Sequence, residues 1–390
     1  MMPQSVPLST GTMVLPGPGS FGTARRGFRA YRGAGAEPHA LSGSGHHGIW
    51  GSTLRRRLGQ VALVTAAVVA LTPSPPAEAE TAAGCYARLN AVRVRAGLPR
   101  ASSRTLPALA RAAASHAAYR VNVDPGDKAQ VRRLPDRGLF GPDATAHKES
   151  PSLRALGSTG VNPWDRTRAA GLRDGVWRAQ YEDVVTAAGV GTGGLDGVRS
   201  WLDAPYHRFP LLDANTRHVG CAARSRVVGG RAYAAEVLEM AATWKDRARR
   251  VTVYPAPGQT RVPRSFARFQ ERPTPFPGAA ATVGYVVTLQ ADGYHALKVT
   301  GIAFSRGAGH TPVAVHTAVA ARSAGSRLPR SAVDRRLPAN AAMLATRAPL
   351  AAGTVYHVRI SGYVQATAGG PWTRLRTRAW SFTTANEARA

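Results

Sequence analysis

The chain has 390 residues, 51 Lys and Arg against 22 Asp and Glu, a formal net charge of +29, and two cysteines. Its length accommodates two ordinary domains, and 44% hydrophobic residues exclude wholesale disorder. The one long apolar run lies near the start, which excludes a multi-span membrane protein, and two cysteines exclude a disulfide-dense miniprotein or a four-cysteine zinc site.

Apart from Lys128, Lys148, Lys245 and Lys298, every basic residue is an arginine. With abundant Ala, Gly and Pro, that bias reads as a GC-rich codon supply, so part of the charge is compositional and sits on solvated faces. The functional alternative is attraction to anionic partners such as acidic envelope polymers or lipids. Residues 81–250 carry 27 basic and 15 acidic side chains; residues 251–390 carry 17 and 4. No zinc finger, helix-turn-helix or aromatic RNA-binding motif accompanies the charge, so nucleic acid is not the expected partner.

Arg55, Arg56 and Arg57 precede the apolar run 61–71, then come Pro73, Pro75 and Pro76 and the small-x-small site Ala77-Glu78-Ala79. These are the parts of a secretory signal, predicted over 55–79 with cleavage after Ala79. The run is too short to cross a membrane comfortably, so no span is expected in the mature chain. Residues 1–54 are rich in Gly, Ser, Pro and Arg, lack periodicity, and read as a disordered leader or a start placed too far upstream. Ala82-Ala83-Gly84-Cys85 imitates a lipobox but stands well beyond the apolar core; a disulfide between Cys85 and Cys221 suits an exported chain better.

The middle of the chain reads as helices followed by a hairpin. Tyr86, Leu89 and Val92 stand at helical spacing and Gly97 stops that helix. Thr105 is the expected cap of a second helix, with Pro107 in its first turn and Leu109, Ala110, Ala113 and Ala117 on one face. His116 lies on this helix and reads as a packed residue. Asn162-Pro163-Trp164-Asp165 opens a third helix, stopped by Gly171, and Leu195, Val198 and Leu202 mark a fourth, ended by Pro205. Residues 218–227 and 231–239 are extended and joined at Gly229-Gly230. Helices around a small antiparallel sheet imply an α+β or three-layer domain.

Four separated pieces carry a resemblance. They are Leu89-Asn90-x-x-Arg93-x-x-x-Gly97-Leu98; Ala146-His147-Lys148-Glu149-Ser150-Pro151; Pro163-Trp164-Asp165-Arg166 with Glu182-Asp183-Val184-Val185; and Trp201-Leu202-Asp203-Ala204-Pro205-Tyr206-His207-Arg208. In this order they resemble the CAP superfamily of cysteine-rich secretory, antigen 5 and pathogenesis-related proteins, in its bacterial SCP-like branch, over about residues 85–245. The resemblance implies an α-β-α sandwich with a cleft of two histidines and two acidic residues. His147, Glu182 and His207 take three of those places. The second acid has no clean match, and Glu149 and Asp203 are both candidates.

Imidazoles and carboxylates in one cleft suit a divalent ion such as zinc, or shared general acid–base work. No His-Glu-x-x-His helix or Gly-x-Ser-x-Gly elbow supports a stronger assignment. The bland alternative is a hydrogen-bonded polar cluster that holds the loops together.

After Arg250 the period changes. Residues 251–254, 285–289, 297–299, 313–319, 354–360 and 380–384 read as short strands of a β-sandwich. Pro349-Leu350-x-x-Gly353-Thr354-x-Tyr356 with Trp380-Ser381-Phe382-Thr383-Thr384 resembles bacterial Ig-like modules, and the basic stretch 322–341 reads as a loop. The expected organisation is a leader over 1–54, a signal over 55–79, a CAP-like domain over 80–248 and an Ig-like sandwich over 249–390. The expected role is binding of a lipid, peptide or cell-wall polymer at the envelope or outside the cell. The alternatives are a metal-dependent hydrolase using the same cleft and a structural adhesin.

Overall fold

The computed structural model describes residues 9–16, 82–123, 130, 147–188, 195–228, 230–271, 274–320 and 331–387. The predicted signal over 55–79 lies outside these residues, as do Gly229 and the 321–330 part of the basic loop. The described residues from 82 onward belong to one compact unit. None of their helices is long and apolar enough to cross a membrane.

The first half is built on a four-stranded antiparallel sheet of order β1-β2-β4-β3. Its strands are β1 (Ser9–Pro16), β2 (Trp177–Ala188), β3 (His218–Val228) and β4 (Arg231–Thr243). Hairpin β3–β4 matches the expected extended pair around Gly230, whose φ of 74° is the left-handed conformation the turn needs. β1 falls in the stretch that reads as disordered. It is extended because its backbone lies along β2 in antiparallel register, Met13 opposite Glu182, with no side-chain pattern to announce it.

Helices cover both faces. α1 (Ala82–Arg95) buries Cys85, Leu89 and Arg93, a stripe at intervals of four residues. It joins α4 (Gly197–Asp203) against Val185, Ala187, Leu238 and Met240 on one face of the sheet. α2 (Pro107–Asn122) puts Ala113 and Ala117 against Val184, Ala222 and Val237 on the opposite face, which it shares with α3 (Pro163–Ala169). The alanines let α2 lie close. A Cβ on Gly220 would sit 2.1 Å from the Leu109 carbonyl carbon, so only glycine fits beneath that helix. Thr105 does not cap α2; its hydroxyl is 2.5 Å from His218 Nδ1, and Leu106 takes the cap position. A disulfide joins Cys85 of α1 to Cys221 of β3 across 136 residues, a crosslink worth about 4–5 kcal/mol in the chain-entropy picture.

Pro205 ends α4 as expected and also begins α5 (Pro205–Leu211), because proline suits the first turn of a helix. α5 faces the second half. That half contains a five-stranded sheet of order β12-β11-β13-β8-β5 and a four-stranded sheet of order β10-β9-β14-β15. The strands of the first are β5 (Arg250–Tyr254), β8 (Val287–Asp292), β11 (Val315–Ala320), β12 (Ser331–Asp334) and β13 (Ala341–Thr346). Those of the second are β9 (Ala296–Arg306), β10 (Thr311–Pro312), β14 (Val355–Gln365) and β15 (Trp372–Thr383). A short pair, β6 (Ser265–Ala267) and β7 (Thr282–Gly284), lies between. Leu289, Leu297, Phe304, Tyr356, Ile360 and Phe382 belong to a buried cluster that continues into the first half.

The centre of the five-stranded sheet is buried on both faces: every residue of β8 and β13 is buried. Phe209 of α5 joins Phe266, Phe276, Val283 and Met343 in a second apolar cluster there. Arg208 Nη1 donates to the Val286 carbonyl at 2.6 Å, and its guanidinium lies 4.8 Å from the Tyr254 ring centre and 5.0 Å from that of Tyr285. The Tyr285 hydroxyl donates to Asp203 at 2.9 Å, and the Tyr206 amide donates to Glu271 at 2.8 Å. The predicted boundary at 248 is thus a change of architecture across which the core continues.

Candidate functional site

β2 was not among the expected strands, yet it positions the site. Successive side chains of a strand alternate between faces, so Gln180, Glu182 and Val184 point toward α2 and α3 while Asp183 and Val185 point toward α1, α4 and α5. Glu182 stands directly opposite Glu239 of β4.

On the α2 side, Glu182 gathers a buried ionic cluster. His147 Nδ1 lies 2.8 Å from Glu182 Oε1, and His116 Nε2 lies 3.9 Å from the same oxygen. Arg166 Nη2 donates to Glu182 Oε2, and Arg166 Nη1 donates to the His147 carbonyl at 2.9 Å. Glu149 Oε1 is 2.9 Å from His116 Nδ1 and 3.6 Å from Arg166 Nε. Glu149 Oε2 accepts from the amides of Thr159 at 2.6 Å and Gly160 at 3.2 Å. Gln180 accepts from Thr167 at 3.1 Å and donates to Glu239 at 3.3 Å. His116, His147, Glu149, Glu182 and Glu239 are fully inaccessible, and Arg166 nearly so.

The electrostatics follow from Arg166. Burial raises the Glu182 carboxyl, but the guanidinium and then His116 hold it well below the usual range. Burial likewise opposes ionisation of Glu149, against the His116 hydrogen bond and the Arg166 charge, which keep its pKa low. Burial and Arg166 depress His116, favouring the neutral ring. Burial, followed by the neighbouring Glu182 charge, pushes Glu239 well above the carboxylate range, favouring its protonated form. One arginine thus pairs with two carboxylates, and the third, Glu239, is shifted toward its protonated form. Glu182 orients His147 through Nδ1, and His147 Nε2 is buried without a hydrogen-bond partner among the described residues.

Of the residues read from the sequence, His147, Glu182 and Glu149 come together. His207 does not join them. It projects from α5 on the other side of the sheet, with Nδ1 2.9 Å from Asp183 Oδ1 and Glu271 close enough to feel its charge. Asp203 is also elsewhere, accepting the Tyr285 hydroxyl at 2.9 Å. The expected convergence of His147, Glu182 and His207 is corrected by strand alternation: Glu182 and Asp183 are consecutive and face opposite layers.

The cluster does not fit a zinc ion. Arg166 stands where a cation would neutralise Glu149 and Glu182, and His207 is beyond the sheet. Among the described residues, the His, Cys, Asp and Glu group whose candidate ligand atoms lie within 4.8 Å of one another is Cys85, Cys221 and Glu236, and its two sulfurs are bonded to each other. The disulfide pairing of Cys85 and Cys221 is the one expected.

Arg166, His116 and Glu239 complete the cluster beyond the residues that the sequence points to. Arg166 stands inside the quoted Pro-Trp-Asp-Arg piece, and Glu239 interrupts an apolar strand, the pattern of a buried ionisable group. His116, one lone helical histidine, gave no signal. Comparison with protein-family models and with curated proteins finds no match.

Proposed function

We propose that the chain is an exported binding protein of the cell envelope, a CAP-like domain joined to an Ig-like sandwich, and that the sandwich half holds it to an anionic envelope glycan. One observation carries this reading. Residues 251–390 have 17 basic and 4 acidic side chains, and Glu271, Asp292 and Asp334 are buried, leaving Glu387 as the exposed carboxylate among the described residues of that half. The outer face of β9, β14 and β15 shows the consequence. Lys298, Tyr363 and Arg374 stand in one cross-strand row, Trp372 lies in a neighbouring row, and Arg359 is exposed further along β14. Guanidinium groups with interleaved aromatic rings suit sulfated, phosphorylated or carboxylated sugars. The disulfide supports an oxidising compartment. The buried ionic cluster then serves to hold the 147–160 loops against the sheet.

Retention on immobilised heparin, with neutral dextran as the control, tests the reading. Salt-sensitive retention that falls at least tenfold in a Lys298→Glu/Arg359→Glu/Arg374→Glu variant is expected. Equal retention on neutral dextran, or no effect of charge reversal, would overturn it.

A second reading has one observation in its favour: His147 is held by Glu182 at one ring nitrogen and unpartnered at the other, as a general base would be. Peptide or glycan hydrolysis lost in His147→Ala would establish it.

A further inference from the structure

A cavity of about 540 Å³ opens between α1, α4 and the 254–263 segment that follows β5, so its wall comes from both halves of the chain. Arg88, Arg95, Arg199 and Arg261 line it, with Asp196 and Asp203 as the acidic neighbours. Those acids are engaged: Asp196 pairs with Arg88 at 3.2 Å and caps α4 by accepting the Arg199 amide at 3.0 Å, and Asp203 accepts the Tyr285 hydroxyl at 2.9 Å. Arg95, Arg199 and Arg261 are exposed and have no side-chain hydrogen bond or ion pair among the described residues. Four guanidinium groups against two carboxylates therefore leave the hollow with an excess of positive charge.

The segment that presents Arg261 is fixed. The Gly258 amide donates to the Ser381 carbonyl at 2.8 Å, Gln259 Nε2 donates to the Tyr254 hydroxyl at 3.3 Å, and the Ala256 amide donates to Gln259 Oε1 at 2.9 Å. Arg261 itself has φ of +56°, a left-handed conformation that a side-chain-bearing residue adopts only against steric cost. An excess of positive charge lining one hollow favours an oxyanion there. The fork of a guanidinium matches phosphate oxygens two at a time, and the volume lies in the range of small-molecule sites.

We infer that this cavity binds a phosphate-bearing small molecule or headgroup through Arg95, Arg199 and Arg261. The site is separate from the sheet face proposed for polymer binding and stands or falls independently of it.

Calorimetric titration of the full chain with inorganic pyrophosphate tests the site, alongside flotation with phosphatidylglycerol vesicles and phosphatidylcholine controls. Saturable one-to-one binding of pyrophosphate, weakened at least tenfold in Arg95→Ala/Arg199→Ala/Arg261→Gly, is expected for a soluble ligand. Selective capture by phosphatidylglycerol vesicles, lost in the same variant, supports the site with a lipid headgroup as the source. Glycine accepts the backbone conformation of residue 261, so the variant keeps its fold, checked by an unchanged or raised Tm. Undiminished binding in the variant would overturn the inference. So would binding lost instead in Lys298→Glu/Arg359→Glu/Arg374→Glu, or no binding to either probe.

Discussion

Glu182 and Asp183 are consecutive residues of β2 whose carboxylates enter opposite layers of the molecule, Glu182 to meet His147 at 2.8 Å and Asp183 to meet His207 at 2.9 Å. The two histidines thus serve two separate hydrogen-bonded pairs. His147→Ala and Glu182→Gln share an interaction and should couple by about 0.5–3 kcal/mol in a double-mutant cycle. His147→Ala and His207→Ala share no partner and should add to within about 0.5 kcal/mol. Urea denaturation of the single and double variants measures both.

Arg166 is the sole arginine set between Glu149 and Glu182 among the described ion pairs. Replacing it with methionine leaves two buried carboxylates uncompensated and should cost about 3–5 kcal/mol. Adding Glu149→Gln and Glu182→Gln should restore part of that loss, because the neutral amides need no counter-charge. A triple variant no more stable than Arg166→Met alone would show that the guanidinium acts through packing and its carbonyl hydrogen bonds.

Burial pushes the carboxyls of Glu271 and Glu236 up to about 7 each. Each stays protonated in the folded protein after it has ionised in the unfolded chain, where the pKa is about 4.3. Each therefore withdraws stability as pH rises from about 4.3 to 7, at about 1.4 kcal/mol per pH unit, and no more above that window. Glu239 and Asp292, raised chiefly by burial, act in the same direction. His116, lowered by burial and Arg166, opposes them up to about pH 6.5. Glu149 and Glu182 have lowered values and lose their contribution only at more acid pH. Chemical denaturation should find the wild type less stable at pH 7 than at pH 5, with the difference reduced by about one proton's worth in Glu271→Gln.

Phe209 and Arg208 fasten α5 to the five-stranded sheet. Phe209→Ala should cost about 3–5 kcal/mol, the usual loss for a buried aromatic side chain. A fragment ending at residue 248 would expose Phe209 and strand the buried Arg208 without its Val286 and tyrosine contacts. Circular dichroism with thermal melting should find no cooperative transition for that fragment, against one for residues 80–390.

Local order along the chain was legible wherever one pattern served one face. The stripe of α1, the Asn162–Asp165 helix start, the β3–β4 turn and the alternation in β14 all follow from side-chain period and turn chemistry. Among the strands that escaped that reading, β13 and β2 show why. β13 is buried on both faces and shows no alternation, and β2 carries Gln180, Glu182 and Asp183 inside the core, where polar residues mask a strand. The residue types of the cluster, and the pairing of Cys85 with Cys221, belong to the sequence. Which imidazole meets which carboxylate belongs to the tertiary structure alone. A shift of one residue along a strand turns a side chain to the other face, and no count of spacings between distant segments reveals which face the next helix will cover.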